Sequence, residues 1–436
     1  MSRFFFFIVS CSLFLLNHDL LYGQPAEKLV KVLVSPDHPD WTYRLGEEPV
    51  FSVAVMHHNN LLKNVKISYQ AGPEKMAPVR EASLVLKDGK TVISGMTLDS
   101  PGFLRCIVIA EYDGKKYKGL ATVAFDPLKI EPTTEVPADF IRFWQDSKAQ
   151  AEKIPLNSRL TLLPERCTDK VNVYHVEFQN DAAGSRIYGI LCVPKAEGEY
   201  PALLKLPGAG VRSYSGERDL AEKDIITLEI GIHGIPVNME GSVYQSLKEG
   251  ALDGYQYINL DNKDKYYYKR VYLGCIKAVD FIFSLPQFNG SGLAVAGGSQ
   301  GGALSLITAA LDDRVKFVVA LAPGLCDLTG YLHGRAGGTR MFNETNAPFN
   351  AKADRIETSK YYDVVNFARL IRIPGFYSWG YNDETCPPTT MYSAYNVITA
   401  PKELFLAYDA NHWYYREQWE KANNWLLANL KKEGGK

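Results

Sequence analysis

The chain has 436 residues, 46% hydrophobic and 22% charged, with 48 basic against 49 acidic side chains and a net charge of −1. That length predicts two or three domains of roughly 100–200 residues each. The near-neutral balance supplies no basic surface, so neither nucleic acid nor an anionic membrane is expected as a partner.

Arg3 is followed by an uncharged, mostly apolar run from Phe4 to Leu16. The run is shorter than the roughly 20 residues that span a bilayer. A basic start, an apolar stretch and a small residue, Gly23, before Gln24 predict an export signal over residues 1–23, and so a periplasmic or extracellular protein with no stable membrane span. Ile8-Val9-Ser10-Cys11 resembles a bacterial lipobox, but apolar sequence continues past Cys11 and favours cleavage near Gly23 over lipid anchoring. The remaining cysteines (Cys106, Cys167, Cys192, Cys275, Cys326, Cys386) are far apart, without the spacing of a zinc site or a Cys-x-x-Cys centre. Buried free thiols are the expectation.

Residues 24–126 read as β. Phe51, Val53 and Val55 alternate with smaller or polar residues, as do Val65, Ile67 and Tyr69, the period of half-buried strands. Asp88-Gly89 and Asp113-Gly114 are hairpin-turn signals. Several short strands and no helical stretch predict an immunoglobulin-like sandwich. Residues 127–137 are proline-rich and read as a linker, after which Pro137-Ala138-Asp139-Phe140 opens a helix.

From Val171 onward, strands alternate with helices through residue 436. Strands are expected at 171–178, 186–193, 202–206, 224–232, 293–296, 315–322, 375–379 and 403–408, with helices at 270–285 and 417–430. This pattern predicts an α/β fold with a mostly parallel sheet covered on both faces, here over residues 138–436. Residues 331–368 read as a polar, irregular insertion of the kind that caps a site.

Within this pattern Ala296-Gly297-Gly298-Ser299-Gln300-Gly301-Gly302 follows a strand and opens a helix. Gly297-x-Ser299-x-Gly301 is the nucleophile-elbow pattern, in which glycines permit a turn too tight for side chains. A serine hydroxyl is a weak nucleophile and needs a base, itself oriented by an acid. On such a fold these come from loops after later strands, in the order Ser, Asp, His. Asp383 follows the strand 375–379 and His412 follows the strand 403–408, so Ser299, Asp383 and His412 are the expected catalytic set. The oxyanion would be met by backbone N–H groups of Gln300, after the nucleophile, and Ala209, in Pro207-Gly208-Ala209-Gly210. This chemistry needs neither metal nor cofactor.

Gly297-Gly298-Ser299-Gln300-Gly301-Gly302, Asp313-Arg314-Val315-Lys316, Leu325-Cys326-Asp327 and Asp383-x-x-Cys386-Pro387-Pro388 resemble the acetyl xylan esterase / cephalosporin-C deacetylase family. Pro137-Ala138-Asp139-Phe140 with Phe143-Trp144, and Arg270 with Ala278-Val279-Asp280-Phe281, resemble its opening helix and the helix before its elbow. The resemblance implies an α/β-hydrolase of the carbohydrate esterases, which removes acetyl groups from short xylo-oligosaccharides and other small acetates. It also implies ring-shaped homo-oligomers, in which the extra β domain must find room. Two stretches depart from the family pattern. Pro207-Gly208-Ala209 stands for His-Gly-Tyr, and His233-Gly234-Ile235 for Arg-Gly-Gln. Both changes place specificity in those loops. The same residues leave open a peptidase of the prolyl-oligopeptidase type and a non-catalytic sugar-binding protein on a hydrolase scaffold.

Overall fold

The computed structural model describes residues 28–433, so the export signal expected at residues 1–23 lies outside the described residues. Nine strands come first: β1 (Val30–Pro36), β2 (Thr42–Tyr43), β3 (Phe51–His57), β4 (Asn60–Leu61), β5 (Val65–Pro73), β6 (Arg80–Leu86), β7 (Lys90–Ile93), β8 (Gly102–Tyr112) and β9 (Lys115–Phe125). They make two sheets. One runs β1-β3-β4 with β7 also paired to β3; the other runs β2-β9-β8-β5-β6. Phe51, Val53 and Val55 of β3 and Val65, Ile67 and Tyr69 of β5 enter one core shared by both sheets, as their period of two requires.

The two Asp-Gly turns behave differently. Asp113 and Gly114 both take positive φ, 50° and 68°, and close the β8–β9 hairpin as a primed turn does. Asp88-Gly89 does not close a hairpin: β6 pairs with β5 and β7 with β3, so this turn carries the chain from one sheet to the other. The Asp88-Gly89 turn is held from outside, by Asn64 N–H donating to Lys87 O and Val55 N–H to Gly89 O.

The proline-rich stretch after β9 is fastened down. Asn396 Nδ2 donates to Pro127 O (3.0 Å) and Ile130 O (2.9 Å), and Thr133 N–H and Oγ1–H donate to one Asp327 oxygen. The helix Phe140–Glu152 then buries Phe140, Phe143 and Trp144. Asp139 stands at its start but does not cap it. The carboxylate instead accepts from Lys263 Nζ at 3.1 Å and from the Tyr361 hydroxyl.

A second set of strands builds a nine-stranded sheet: β10 (Arg159–Leu162), β11 (Val171–Gln179), β12 (Arg186–Pro194), β13 (Tyr200–Leu206), β14 (Ile226–Gly231), β15 (Phe288–Gly298), β16 (Phe317–Leu321), β17 (Gly375–Trp379) and β18 (Lys402–Leu406). The order is β10-β11-β12-β14-β13-β15-β16-β17-β18, antiparallel as far as the β12–β14 pair and parallel from β14 to β18. Both faces are covered. Leu293 and Val295 of β15 pack into a core with the helices Tyr267–Phe283 and Gln300–Leu311, while Ala294 and Ala296 face Ala422, Leu426 and Leu430 of the helix Arg416–Glu433. In such sheets the carboxyl ends of the parallel strands carry the site.

Residues 331–368 are more regular than their sequence predicts, with helices at Ala353–Tyr362 and Val364–Ala368. The first buries Thr358, Ser359, Tyr361 and Tyr362, so its inward stripe is made of hydroxyl-bearing side chains that an aliphatic periodicity does not reveal. The six cysteines within the described residues are unpaired, five of them buried and Cys167 half-buried. No described helix is long and apolar enough to cross a membrane.

Candidate active site

β15 ends at Gly298 and the helix Gln300–Leu311 starts at Gln300, so Ser299 alone makes the turn. Its φ of 58° and ψ of −125° lie where a side-chain-bearing residue is strained. Surrounding contacts hold that strain: Ser299 N–H donates to Leu321 O at 2.8 Å, and Ser299 O accepts from Ala303 and Gly324 N–H. The turn brings backbones into contact. A Cβ at Gly297 would lie 2.4 Å from the Gly301 carbonyl group, and one at Gly301 only 2.1 Å from Leu206 O. Nothing larger than glycine fits either place.

The strain aims the hydroxyl outward. Ser299 Oγ lies 2.9 Å from His412 Nε2, and His412 Nδ1 lies 2.7 Å from Asp383 Oδ2. The structure thus brings together three side chains that are 84 and 29 positions apart. The carboxylate accepts at Nδ1, so the imidazole carries its proton there and offers Nε2 as the acceptor for the serine O–H. Asp383 is fully buried, and its other oxygen, Oδ1, accepts from Thr385 N–H (2.7 Å) and Cys386 N–H (2.8 Å). Two backbone donors on one oxygen leave the second for the histidine. Asn411 braces the neighbouring backbone, accepting from the N–H groups of Glu384 and His412. Cys386 also comes near, so that Asp383, Cys386 and His412 place three potential metal donors within 4.8 Å of one another. Both oxygens of that carboxylate are already engaged, and burial, then the Asp383 charge, pushes the Cys386 thiol well above its ordinary pKa. The cluster therefore fits an acid–base pair better than a cation.

Gln300 opens its helix, where the first N–H groups have no intrahelical acceptor and point out of the helix end. Its side chain is locked inward. The hydroxyls of Tyr255 and Tyr268 both donate to Oε1 at 2.8 Å, and Nε2 reaches Pro207 O at 3.4 Å. That last contact ties the elbow to the loop 207–210. Ala209 is exposed on this loop and lines the same cleft as Ser299 and His412. The cleft has a volume of about 1250 Å³, and its outer wall carries Arg212, Glu217 and Trp419. No residue of 331–368 lines it, so the insertion does not cap this site.

His233 also stands outside the cleft lining. It lies behind the loop, where Nε2 donates to Gly210 O at 3.0 Å and Nδ1 accepts from the Tyr267 hydroxyl at 2.7 Å. The neutral ring with its proton on Nε2 makes both bonds, and burial lowers its pKa in keeping with that form. Arg270 supports the same turn from below, donating to Ile232 O. The His233 stretch therefore acts on the cleft through Gly210 rather than by facing it. Tyr255 and Tyr268 escaped the sequence reading. The run Tyr266-Tyr267-Tyr268 at the start of the helix Tyr267–Phe283 was the signal for Tyr268, and no motif marked Tyr255.

The family model described as acetyl xylan esterase (AXE1) matches residues 123–429. An acetyl esterase, Axe7A, of Xylanibacter ruminicola is 38% identical over 405 residues, spanning 92% of this chain and 90% of that protein. Among solved structures, the acetyl xylan esterase from Paenibacillus sp. R4 superposes with a TM-score of 0.60 at 28% identity, over 69% of this chain and 98% of its own. Acetyl xylan esterase 1 from Thermoanaerobacterium sp. JW/SL YS485 shares the fold, with a TM-score of 0.60 at 22% identity over 69% of this chain and 97% of that one. The mixed α/β fold is thus that of esterases, consistent with an α/β-hydrolase. The Xylanibacter protein extends into the β region before the nine-stranded sheet.

Proposed function

Since the chain belongs to the acetyl xylan esterase family and is a carboxylic ester hydrolase, we propose that it removes acetyl or other short acyl groups from carbohydrates such as acetylated xylo-oligosaccharides, by a Ser-His-Asp acyl-enzyme route. Ser299 Oγ attacks the ester carbonyl carbon while His412 Nε2 takes its proton. Asp383 holds the ring and stabilises the imidazolium. The N–H groups of Gln300 and Ala209 receive the oxyanion. Collapse expels the sugar hydroxyl, which takes the proton back from His412. Water, activated by the same nitrogen, then attacks the acyl-Ser299 ester and releases the carboxylic acid. The observation that carries this reading is the line from Ser299 Oγ through His412 to Asp383, 2.9 and 2.7 Å long, opening on a cleft. An indole, Trp419, beside charged side chains suits a sugar, which offers both C–H faces and hydroxyls.

The same proposal takes residues 24–126 as an immunoglobulin-like domain, 127–137 as a linker, 138–436 as the catalytic domain and 1–23 as an export signal. A fluorophosphonate probe is expected to label Ser299, and Ser299→Ala to lower kcat for p-nitrophenyl acetate about 10⁶-fold while the fold persists. Acetate release from acetylated xylo-oligosaccharides is expected to outrun cleavage of aminoacyl-nitroanilides. Full turnover by Ser299→Ala would overturn the mechanism, and preference for the nitroanilides would overturn the substrate class.

A further inference from the structure

Arg105 lies in the middle of β8, far from the nine-stranded sheet in sequence, and is only 4% exposed. Burying a guanidinium is costly unless acceptors meet it. Its Nε donates to Thr122 Oγ1 at 2.7 Å, within its own sheet. Nη2 points out of that sheet and donates to Asp383 O at 2.9 Å, Tyr381 O at 3.3 Å and Glu74 Oε2 at 3.4 Å. Nη1 is buried and has no hydrogen-bond partner among the described residues, and the Glu384 carboxylate also feels the guanidinium charge. Glu74, at the end of β5, is also buried, and its other oxygen accepts from Thr389 N–H at 2.9 Å. Thr389 is in the first turn of the helix Pro388–Val397, which directly follows the Asp383 loop. The arginine therefore grips the loop at Tyr381 and Asp383, and its glutamate partner grips the helix that ends it.

Two more bonds from β9 join this grip. Asn382 Nδ2 donates to Leu120 O at 3.2 Å, and Lys118 Nζ pairs with Glu384 at 2.5 Å. Every residue from Tyr381 to Glu384 is thus bonded to β8 or β9. A buried ion pair gives little net stability over apolar residues of equal volume. What it supplies is a fixed position for whatever it holds. Here it fixes the backbone from which the Asp383 side chain and the N–H groups of Thr385 and Cys386 project.

We propose that Arg105 and Glu74 of the β region are positioning residues for catalysis: they clamp the Asp383 loop so that its carboxylate meets His412. The proposal rests on Asp383 being the orienting acid of the reading above. It gives the β region a role in the chemical step itself, in addition to any contact with substrate.

The test uses the full chain and p-nitrophenyl acetate. Arg105→Gln is expected to lower kcat 10- to 100-fold, the cost of displacing a catalytic group by about 1 Å, with KM changed less than about twofold. Arg105→Lys, which restores the charge and part of the donation, is expected to recover part of that loss. Val108→Ala removes a fully buried side chain of the same strand away from the loop. It is expected to lower Tm with kcat unchanged within about twofold. Equal kcat in Arg105→Gln and wild type would overturn the clamp, as would equal kcat losses in Arg105→Gln and Val108→Ala. If neither residue-105 variant folds, Arg105 is a folding residue and the proposal also falls. Ser299→Ala, run beside them, separates the two ideas: an inactive Ser299→Ala with a fully active Arg105→Gln rejects the clamp and keeps the triad, whereas an active Ser299→Ala rejects the triad.

Discussion

The turn at Ser299 and the loop at Asp383 deliver two partners of one hydrogen-bonded line, yet they are held in different ways. Ser299 is fixed from within its own sheet, by Leu321 O, by Gly324 N–H and by glycines that let β13, β15 and the following helix touch. The Asp383 loop follows β17 and is braced by the His412 loop through Tyr408 O, Asp409 O and Asn411, but unlike Ser299 it is also held from outside the sheet, by Arg105, Leu120 and Lys118 of the β region. A turn whose geometry comes from close packing needs only small residues around it. A loop bridging two cores needs long side chains that carry charge across the gap. The difference teaches that a strained conformation and an extended loop call for different supports, steric in one case and electrostatic in the other.

That contrast can be broken by experiment. Asp383→Asn should have the largest effect. The amide cannot hold the imidazole in the tautomer that accepts the serine proton, and kcat for p-nitrophenyl acetate is expected to fall about 10⁴-fold. Gly301→Ala attacks the steric support. Its Cβ would meet Leu206 O, and urea denaturation is expected to show a loss of about 3 kcal/mol. Stability within 0.5 kcal/mol of wild type, on the order of ordinary surface substitutions, would mean that the turn has slack.

His233→Gln probes the loop 207–210 and is expected to lower Tm by about 2 °C at pH 7.5. Burial lowers the His233 pKa from its ordinary value of 6.5, so the folded chain holds the ring neutral. An unfolded histidine binds protons below that value while the folded one resists. The contribution of His233 is therefore complete above pH 6.5 and lost as pH falls through the window beneath it. The Tm gap between wild type and variant should close between pH 7.5 and pH 5; a constant gap would show that the ring's protonation does not matter. Lys118→Ala removes a partly exposed ion pair from the electrostatic support. It should cost about 0.5 kcal/mol or less and act mainly at low salt. A larger loss, persisting at high salt, would move the weight of the clamp from Arg105 to Lys118.

What the sequence exposed and what it hid follow from distance along the chain. Ser299 and Asp383 each follow a buried strand and His412 follows the half-buried edge strand β18, so a local pattern locates each one, and their order completes the set. The parallel sheet was legible because β13, β16 and β17 are short apolar runs between helical stretches. Arg105 was not legible. In β8 it reads as one polar position among apolar ones, and its acceptors in the Asp383 loop lie 276 and 278 residues away. The Asp88-Gly89 turn reads like Asp113-Gly114, because a dipeptide records φ preferences but not which strand the next one will pair with. His233 was legible as a changed residue, while its place behind Gly210 depends on tyrosines supplied by a separate segment.

The unpaired thiols bear on the chain's chemical durability. Burial pushes Cys106, Cys192 and Cys275 up to about 12, and Cys326 and Cys386 well above the ordinary thiol value. At neutral pH these groups stay as thiols rather than thiolates, the form that oxidants and electrophiles attack. The sulfur is protected by being kept protonated and out of reach rather than by being cross-linked. Among the described cysteines, Cys167, half-buried with its S–H directed at Leu163 O, is left as the thiol an alkylating reagent meets first.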